Sequence, residues 1–419
     1  MKSHFSTRSL ASAAALVGLG VAFYGAPAHA QQSELDTLRA QIAELQNRLN
    51  TIEEAQKKAT DTAKAAPPTT AKFPVVVSGL LQVHSLNYLT ETARAGGTRG
   101  VDTFRLRRGE LRLTAPSITD RISGTILIDP AKTTTGRLAS GATSGNINIR
   151  ARDNLLQEIQ ISYLLNKTAT SNNTIDIGQY KIPIGYEPLL SSSAIPNVER
   201  ALIFTQRDPF TDSGYGDVRD TGIQLRGTQG QIDYRLGVFN GFGDRQNALA
   251  LSDAKAIMGR LSFRPKNSGL ELGVSGGFGR TGVDTSNAIN RPNRNIVNGF
   301  AAYKRGKLNL ISEYLRGNSQ VVTDASGTRL SRNISGYYGH LGYLIKPQLE
   351  ATLRYDAFNT NRDVSNARVR DYILGLNYYL KGNNAKIQTN LVRRQADPNA
   401  TASLRDSRTE LRTNFQVAF

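Results

Sequence analysis

One stretch of twelve residues limits the possible folds more than any other. From Arg408 to Phe419 the chain alternates between two kinds of surface. Leu411, Thr413, Phe415, Val417 and Phe419 share one face of an extended strand, and Arg408, Glu410, Arg412, Asn414 and Gln416 share the other, because strand side chains alternate sides. A strand that is apolar along one whole face and charged along the other suits a sheet with lipid on one side and water on the other. That is the condition of a transmembrane β-barrel.

The remainder of 73–419 agrees with this reading. No long helical pattern occurs, and short alternating segments are separated by Gly, Asn, Asp and Pro. They place strands over 74–89, 103–115, 120–129, 155–165, 174–182, 219–228, 231–240, 255–264, 269–279, 296–304, 307–316, 333–345, 348–358, 370–381, 384–394 and 408–419. The expected fold is therefore all-β, a sixteen-stranded antiparallel transmembrane barrel. The connections carry a second signal. Short links such as Pro116–Thr119, Gly230, Arg305–Gly306 and Lys346–Pro347 alternate with long ones such as Ala131–Asn154, Pro183–Val218 and Arg280–Asn295. Short periplasmic turns and long external loops produce this alternation, and a soluble sandwich has no reason for it. A mean hydropathy of -0.36 is no obstacle, since only every second residue meets lipid. Sixteen strands leave a water-filled lumen. With Trp absent, the 16 Tyr and 14 Phe must supply the interfacial girdles, and Tyr163, Tyr343, Tyr355, Tyr372 and Tyr378 have lipid-facing parity.

The N-terminal region reads differently. Lys2 and Arg8 precede an apolar stretch from Leu10 to Phe23, and Ala28-His29-Ala30 offers small residues for cleavage, so 1–30 is expected to be a signal peptide. Residues 31–66 form a periplasmic helical segment whose Leu35, Leu38, Ile42, Leu45, Leu49 and Ile52 fall at coiled-coil spacing, with Ser33 as a cap. Residues 67–72, opened by Pro67-Pro68, are a linker to the barrel at 73–419. So short a helix gains stability if tethered barrels hold the strands together as a homotrimer. A single amphipathic helix on the barrel or on peptidoglycan fits the same seam.

The Pro183–Val218 connection holds Leu189, Leu190, Ile195, Leu202, Ile203 and Phe204, which are misplaced on a fully solvated loop. Folding inward against the barrel wall would bury them and narrow the pore; an external cap or an intersubunit contact is the alternative. The motifs Gln179-Tyr-Lys-Ile-Pro-Ile-Gly185, Glu199-Arg200 and Arg219-Asp-Thr-Gly222 resemble the phosphate-selective porin O and P family. So do Phe104-Arg-Leu-Arg-Arg108, Leu353-Arg-Tyr-Asp356 and Leu374-Gly-Leu-Asn-Tyr-Tyr379. The resemblance spans essentially the whole barrel. It implies a trimeric sixteen-stranded pore in the bacterial outer membrane, with basic residues along an anion path and the third external loop as the constriction.

The chain has 52 Lys and Arg against 34 Asp and Glu, a net charge of +18, which favours an anionic partner. A signal peptide and barrel make that partner a small anion such as phosphate, or the lipopolysaccharide of the outer membrane, rather than nucleic acid. Parity turns Arg108, Arg112, Arg226, Arg235, Arg260, Arg354 and Arg412 into the lumen. The same parity brings Glu110, Glu158, Asp233, Glu271, Glu313, Glu350, Asp356 and Glu410 to pair with them. The constriction residues are expected to be Lys181, Arg200, Arg207 and Arg219, with Arg108 and Arg112 as wall partners. Forked Arg donors and a mobile Lys charge suit oxyanions. The absence of Cys removes disulfides and thiolate metal sites, and the sequence offers no catalytic motif, metal-ligand cluster or cofactor site. The expected function is passive diffusion of small hydrophilic solutes with a preference for anions. A weakly selective general porin and a tether between outer membrane and peptidoglycan are the alternatives.

Overall fold

The computed structural model describes residues 40–54, 57, 74–91, 102–116, 118–132, 155–206, 214–241, 255–280, 293–322, 329–401 and 404–419. Two compact units divide the chain, residues 1–72 and 73–419. In the first, residues 40–54 form helix α1, with an Arg48–Glu44 pair at 2.6 Å one turn apart. Within the single chain Ile42, Leu45, Leu49 and Ile52 are each more than half exposed, so the apolar seam is uncovered. The seam positions Leu35 and Leu38 lie outside the described residues.

The second unit is a closed barrel of sixteen antiparallel strands, each paired with its neighbours in sequence. The strands are β1 (Val76–Glu91), β2 (Thr103–Ala115), β3 (Ile122–Ile128), β4 (Leu156–Lys167), β5 (Ser171–Lys181), β6 (Arg219–Gln229), β7 (Ile232–Phe239) and β8 (Ala256–Phe263). They continue as β9 (Leu270–Arg280), β10 (Asn293–Arg305), β11 (Leu308–Val322), β12 (Arg329–Lys346), β13 (Leu349–Asn359), β14 (Arg368–Lys381), β15 (Ala385–Ala396) and β16 (Arg408–Ala418). A helical turn, α2 (Leu202–Thr205), lies between β5 and β6. Strands reach further into the external connections than alternation suggests. Arg294, Arg329 and Arg332, expected on loops, stand on β10 and β12.

The last strand closes the ring on the first. Phe419 and Gly79 exchange two backbone hydrogen bonds of 2.8 and 3.1 Å. The Phe419 ring lies across Gly79, where a Cβ would overlap it unless the ring moved aside. No described helix is long and apolar enough to cross a membrane; the strands make the crossing.

Alternation reverses at one place that matters. In β2 the pairing with β1 slips between Gln82 and Val83, so that Arg108 faces Gln82 while Leu106 faces Val83. Arg107 is the extra residue of a β-bulge. Below it Arg108, Glu110 and Arg112 face the lumen; above it Phe104 and Leu106 are strongly exposed on the outside, and Arg105 and Arg107 turn inward onto the same carboxylate.

Candidate functional site

The candidate site is the lumen as divided by the 182–218 segment. Its described parts make hydrogen bonds with eleven of the sixteen strands, from β1 and β2 round to β8 through β16. A segment that leaves β5, returns at β6 and touches the wall on every side runs through the interior.

One half of this contact is apolar. Ile203, Phe204, Tyr215 and Val218 are buried with Phe239, Met258, Ile296, Leu315, Ile334, Tyr338, Phe358 and Val369, all on the inner faces of β7 to β14. Phe204 meets Tyr338 edge-on at 6.4 Å, and Tyr215 lies 6.0 Å from Phe358. Ile203 sits in a notch at Gly336, where a Cβ would overlap its methyl group. Backbone N–H groups that this packing takes from water find carboxylates. Those of Tyr186 and Glu187 donate to Glu313 at 2.7 and 2.8 Å, and that of Leu202 donates to Asp356 at 2.9 Å.

The other half is polar. The Gln82 and Gln416 amides donate to the Ser192 and Ser193 carbonyls, and the Lys386 ammonium donates to the Ile195 carbonyl at 2.9 Å. Arg105 and Arg107 both grip Glu199, the latter through two bonds of 2.9 and 3.0 Å. Burial alone would raise the Glu199 carboxyl, but Arg107 and Arg105 hold it well below the usual carboxylate range. Asp217 behaves alike: burial opposes its charge, and Arg200, Lys181 and Arg219 overcome that. Glu187 goes the other way, because burial outweighs its Arg354 and Arg200 neighbours and raises it.

Five of the six basic residues expected at the constriction lie among the described residues. Lys181 donates to the Pro188 and Leu190 carbonyls at 2.5 and 3.0 Å and lies 3.5 Å from Asp217. Arg200 is buried, 2.8 Å from Asp217, and also binds the Glu187 and Leu190 carbonyls. These two cations fold the loop on itself. Arg219 and Arg112 share Glu158 at 3.1 and 2.8 Å, and Arg108 donates to Gln82 at 2.6 Å. Arg207 lies outside the described residues. Parity missed Arg105, Arg107 and Arg394, the last of which pairs with Asp371 through two bonds of 2.7 and 2.6 Å. The doubled Arg107-Arg108 was the available signal, since two adjacent inward residues require a bulge.

Water-accessible space remains on both sides of the segment. A cavity of about 580 Å³ extends from the short-turn end, where Gly79 and Phe419 lie, to residues 189–193. Its wall offers Arg112, Lys181, Arg219, Arg226 and Arg235 against Glu110, Glu158 and Asp176. Arg226, Arg235 and Arg260 stand side by side across β6, β7 and β8. Arg226 is paired with Asp176 at 2.6 Å and Arg260 with Glu271 at 2.5 Å. Arg235 between them has no carboxylate of its own among the described residues. A second cavity of about 290 Å³ lies on the long-loop side, with seven arginines, including Arg105, Arg354, Arg408 and Arg412, around four carboxylates.

Residues 275–419 match the family model described as phosphate-selective porin O and P. That match takes in about a third of the chain, from within β9 to Phe419. No curated protein matches it in sequence. Among solved structures it is similar to the outer membrane channel DcaP of Acinetobacter baumannii, at 12% identity and a TM-score of 0.55, over 84% of this chain and 99% of that one. It is equally similar to an anion-selective porin from Comamonas acidovorans, at 15% identity and 0.55, over 83% and 100%. The trimer form of OmpT from Vibrio cholerae aligns at 9% and 0.52, over 83% and 99%. At such identities these likenesses establish the fold. The family match over these strands and the closed barrel make the protein an outer-membrane β-barrel channel, and its short turns therefore mark the periplasmic side.

Proposed function

We propose that the porin passes small hydrophilic solutes by diffusion and favours anions such as phosphate, with the 182–218 segment as its constriction. The observation that carries this is the excess of guanidinium and ammonium groups over carboxylates in both cavities beside the segment, with no ion pair to Arg235 among the described residues. Fixed cations around a narrow, low-dielectric passage concentrate anions and repel cations. In this reading Lys181, Arg200 and Arg108 hold the constriction in shape, and Arg112, Arg219, Arg226 and Arg235 face the permeating ion. Arg207 belongs to the same segment and is assigned with them.

The finer organisation is part of the same proposal: a signal peptide over 1–30, a coiled-coil segment over 31–66, a linker over 67–72 and assembly as a homotrimer. The uncovered Ile42, Leu45, Leu49 and Ile52 seam of α1 supports a helical partner, since three such seams would cover one another. The test of the channel is its reversal potential in a planar bilayer under a KCl gradient. A value near the chloride Nernst potential is expected, moving towards zero in Arg235→Gln. A value towards potassium in the unaltered protein would overturn anion preference.

A further inference from the structure

The outer wall from β10 to β16 is ordered in rows that only the strand register reveals. Nearest the long-loop rim one row runs Arg316, Ser335, Asn359, Arg368 across β11 to β14. The next runs Tyr314, Tyr337, Ala357, Arg370. The third runs Ala301, Ser312, Gly339, Tyr355, Tyr372, Arg393 from β10 to β15. The fourth is unbroken leucine: Leu310, Leu341, Leu353, Leu374, Leu391 and Leu411. These positions share the outward parity, and successive rows lie two residues, about 7 Å, apart along the strands.

The leucine row marks hydrocarbon and the tyrosines mark the interface, so the arginines stand at the level of the external headgroups. The rings of Tyr337, Tyr355 and Tyr372 follow one another in tilted contact, with centroids 5.9 and 5.1 Å apart. Charge on this face is one-sided. Arg370 is held by Asp397 at 3.0 Å, and Asp363 takes bonds from Asn333. Arg393 reaches the Thr409 hydroxyl at 2.9 Å, and the Arg368 backbone N–H donates to Asp397 at 3.1 Å, while the guanidinium groups of Arg316 and Arg368 have no carboxylate partner among the described residues. Guanidinium groups on a lipid-facing wall are costly unless an anion meets them. Below the arginines the small side chains of Ala301 and Ser312 and the bare backbone of Gly339 leave a groove of about 410 Å³, walled by Leu310, Leu341 and Leu353. A Cβ added at Gly339 would meet no atom within 4 Å, so the groove is open at its floor.

We propose that this face binds a phosphorylated, multiply acylated glycolipid of the outer leaflet, the lipid A of lipopolysaccharide. Its phosphates meet Arg316, Arg368, Arg370 and Arg393, and an acyl chain fills the Gly339 groove. Forked guanidinium donors fit phosphate oxygens, the tyrosine rings bracket the sugar level, and the leucine row receives the remaining chains. A second barrel seated here would bury the same arginines, and this wall carries no surplus of carboxylates to answer them.

The test is native mass spectrometry of the full-length porin in detergent, titrated with bisphosphorylated hexa-acyl lipid A. Wild type is expected to retain the lipid. The triple variant R316Q/R368Q/R393Q should bind it at least about tenfold more weakly, since each basic residue near a charged headgroup contributes on the order of 1 kcal/mol. Gly339→Leu fills the groove with the charges intact and should also weaken retention. Heat-shifted gel mobility verifies that each variant is a folded barrel. Equal retention by wild type and triple variant, or equal binding of dephosphorylated lipid A, would overturn the proposal. So would a Gly339→Leu variant that loses its oligomer but keeps its lipid, which would make the groove a contact between barrels.

Discussion

The two halves of the lumen hold the same segment by opposite means. Around β7 to β14 the 182–218 segment is packed as in a soluble core, with Ile203 and Phe204 fully desolvated. Around β1 to β6, β15 and β16 it is held by amides, a lysine and a pair of arginines, and the 580 Å³ cavity opens there. Apolar packing is insensitive to salt and fixes position, whereas the polar side leaves charged groups in contact with water. In the proposed reading the apolar half anchors the segment and the polar half carries the permeating ion.

Removing the apolar anchor should have the largest effect. Gly336→Leu would occupy the space of Ile203 and force α2 off the wall. Loss of the buried Ile203 and Phe204 contacts corresponds to roughly 3–5 kcal/mol, comparable to a large-to-small core substitution. The expected result is a barrel that still folds, since strand pairing is untouched, and a larger single-channel conductance with a reversal potential nearer zero. Unchanged conductance would mean that the segment does not limit flow.

Breaking the polar anchor should come next. Glu199→Gln leaves Arg105 and Arg107 without their common carboxylate, and removing one partner of a buried pair costs about 3–5 kcal/mol where burial is complete. Part of each guanidinium is exposed, so the lower end applies. Because the apolar side still holds, the open-channel current should keep its mean and gain noise. A conductance rise as large as in Gly336→Leu would remove the distinction between the halves.

Arg235→Gln separates permeation from anchoring. Arg235 has no ion pair of its own among the described residues, and its loss should leave thermal stability within about 0.5 kcal/mol. Anion preference should fall, most visibly at low salt, where screening is weakest. An unfolding shift with unchanged selectivity would place Arg235 in the scaffold instead.

Much of this comparison could be read from the chain. Period-two alternation gives all sixteen strands, and loop length separates the two ends of the barrel, because lipid and water impose those patterns residue by residue. Of the apolar residues in the 182–218 stretch, Ile195, Leu202, Ile203 and Phe204 are buried, and Leu189 and Leu190 are half-buried. The roles of individual cations were less legible. Lys181 and Arg200 reach carbonyls of their own loop, which depends on a turn at 187–190 that no periodicity encodes. Arg105 and Arg107 face the lumen only because of the bulge beside Arg108. The Arg, Tyr and Leu rows of the outer wall depend on the alignment of strands distant in sequence, which a single strand cannot display.

Acidity provides the finest test of the two anchors. Glu199 and Asp217 have folded-state affinities for protons far below those of the unfolded chain, so their contribution is complete above the ordinary carboxylate range of about pH 4. It is lost only as pH falls well below that. Glu187 has the opposite sign: raised by burial, its ionised form opposes the fold at neutral pH, and protonation on the way down relieves that cost. Lowering pH from 7 to about 4 should therefore leave current noise unchanged or reduce it, with noise rising only under stronger acid. In Glu187→Gln the initial quieting should vanish while the acid-induced noise stays. In Glu199→Gln the channel should be noisy already at neutral pH and change less on acidification, because the charge that acid would remove is absent. If wild-type noise instead rose between pH 7 and 5, a group other than these loop carboxylates would control the polar anchor.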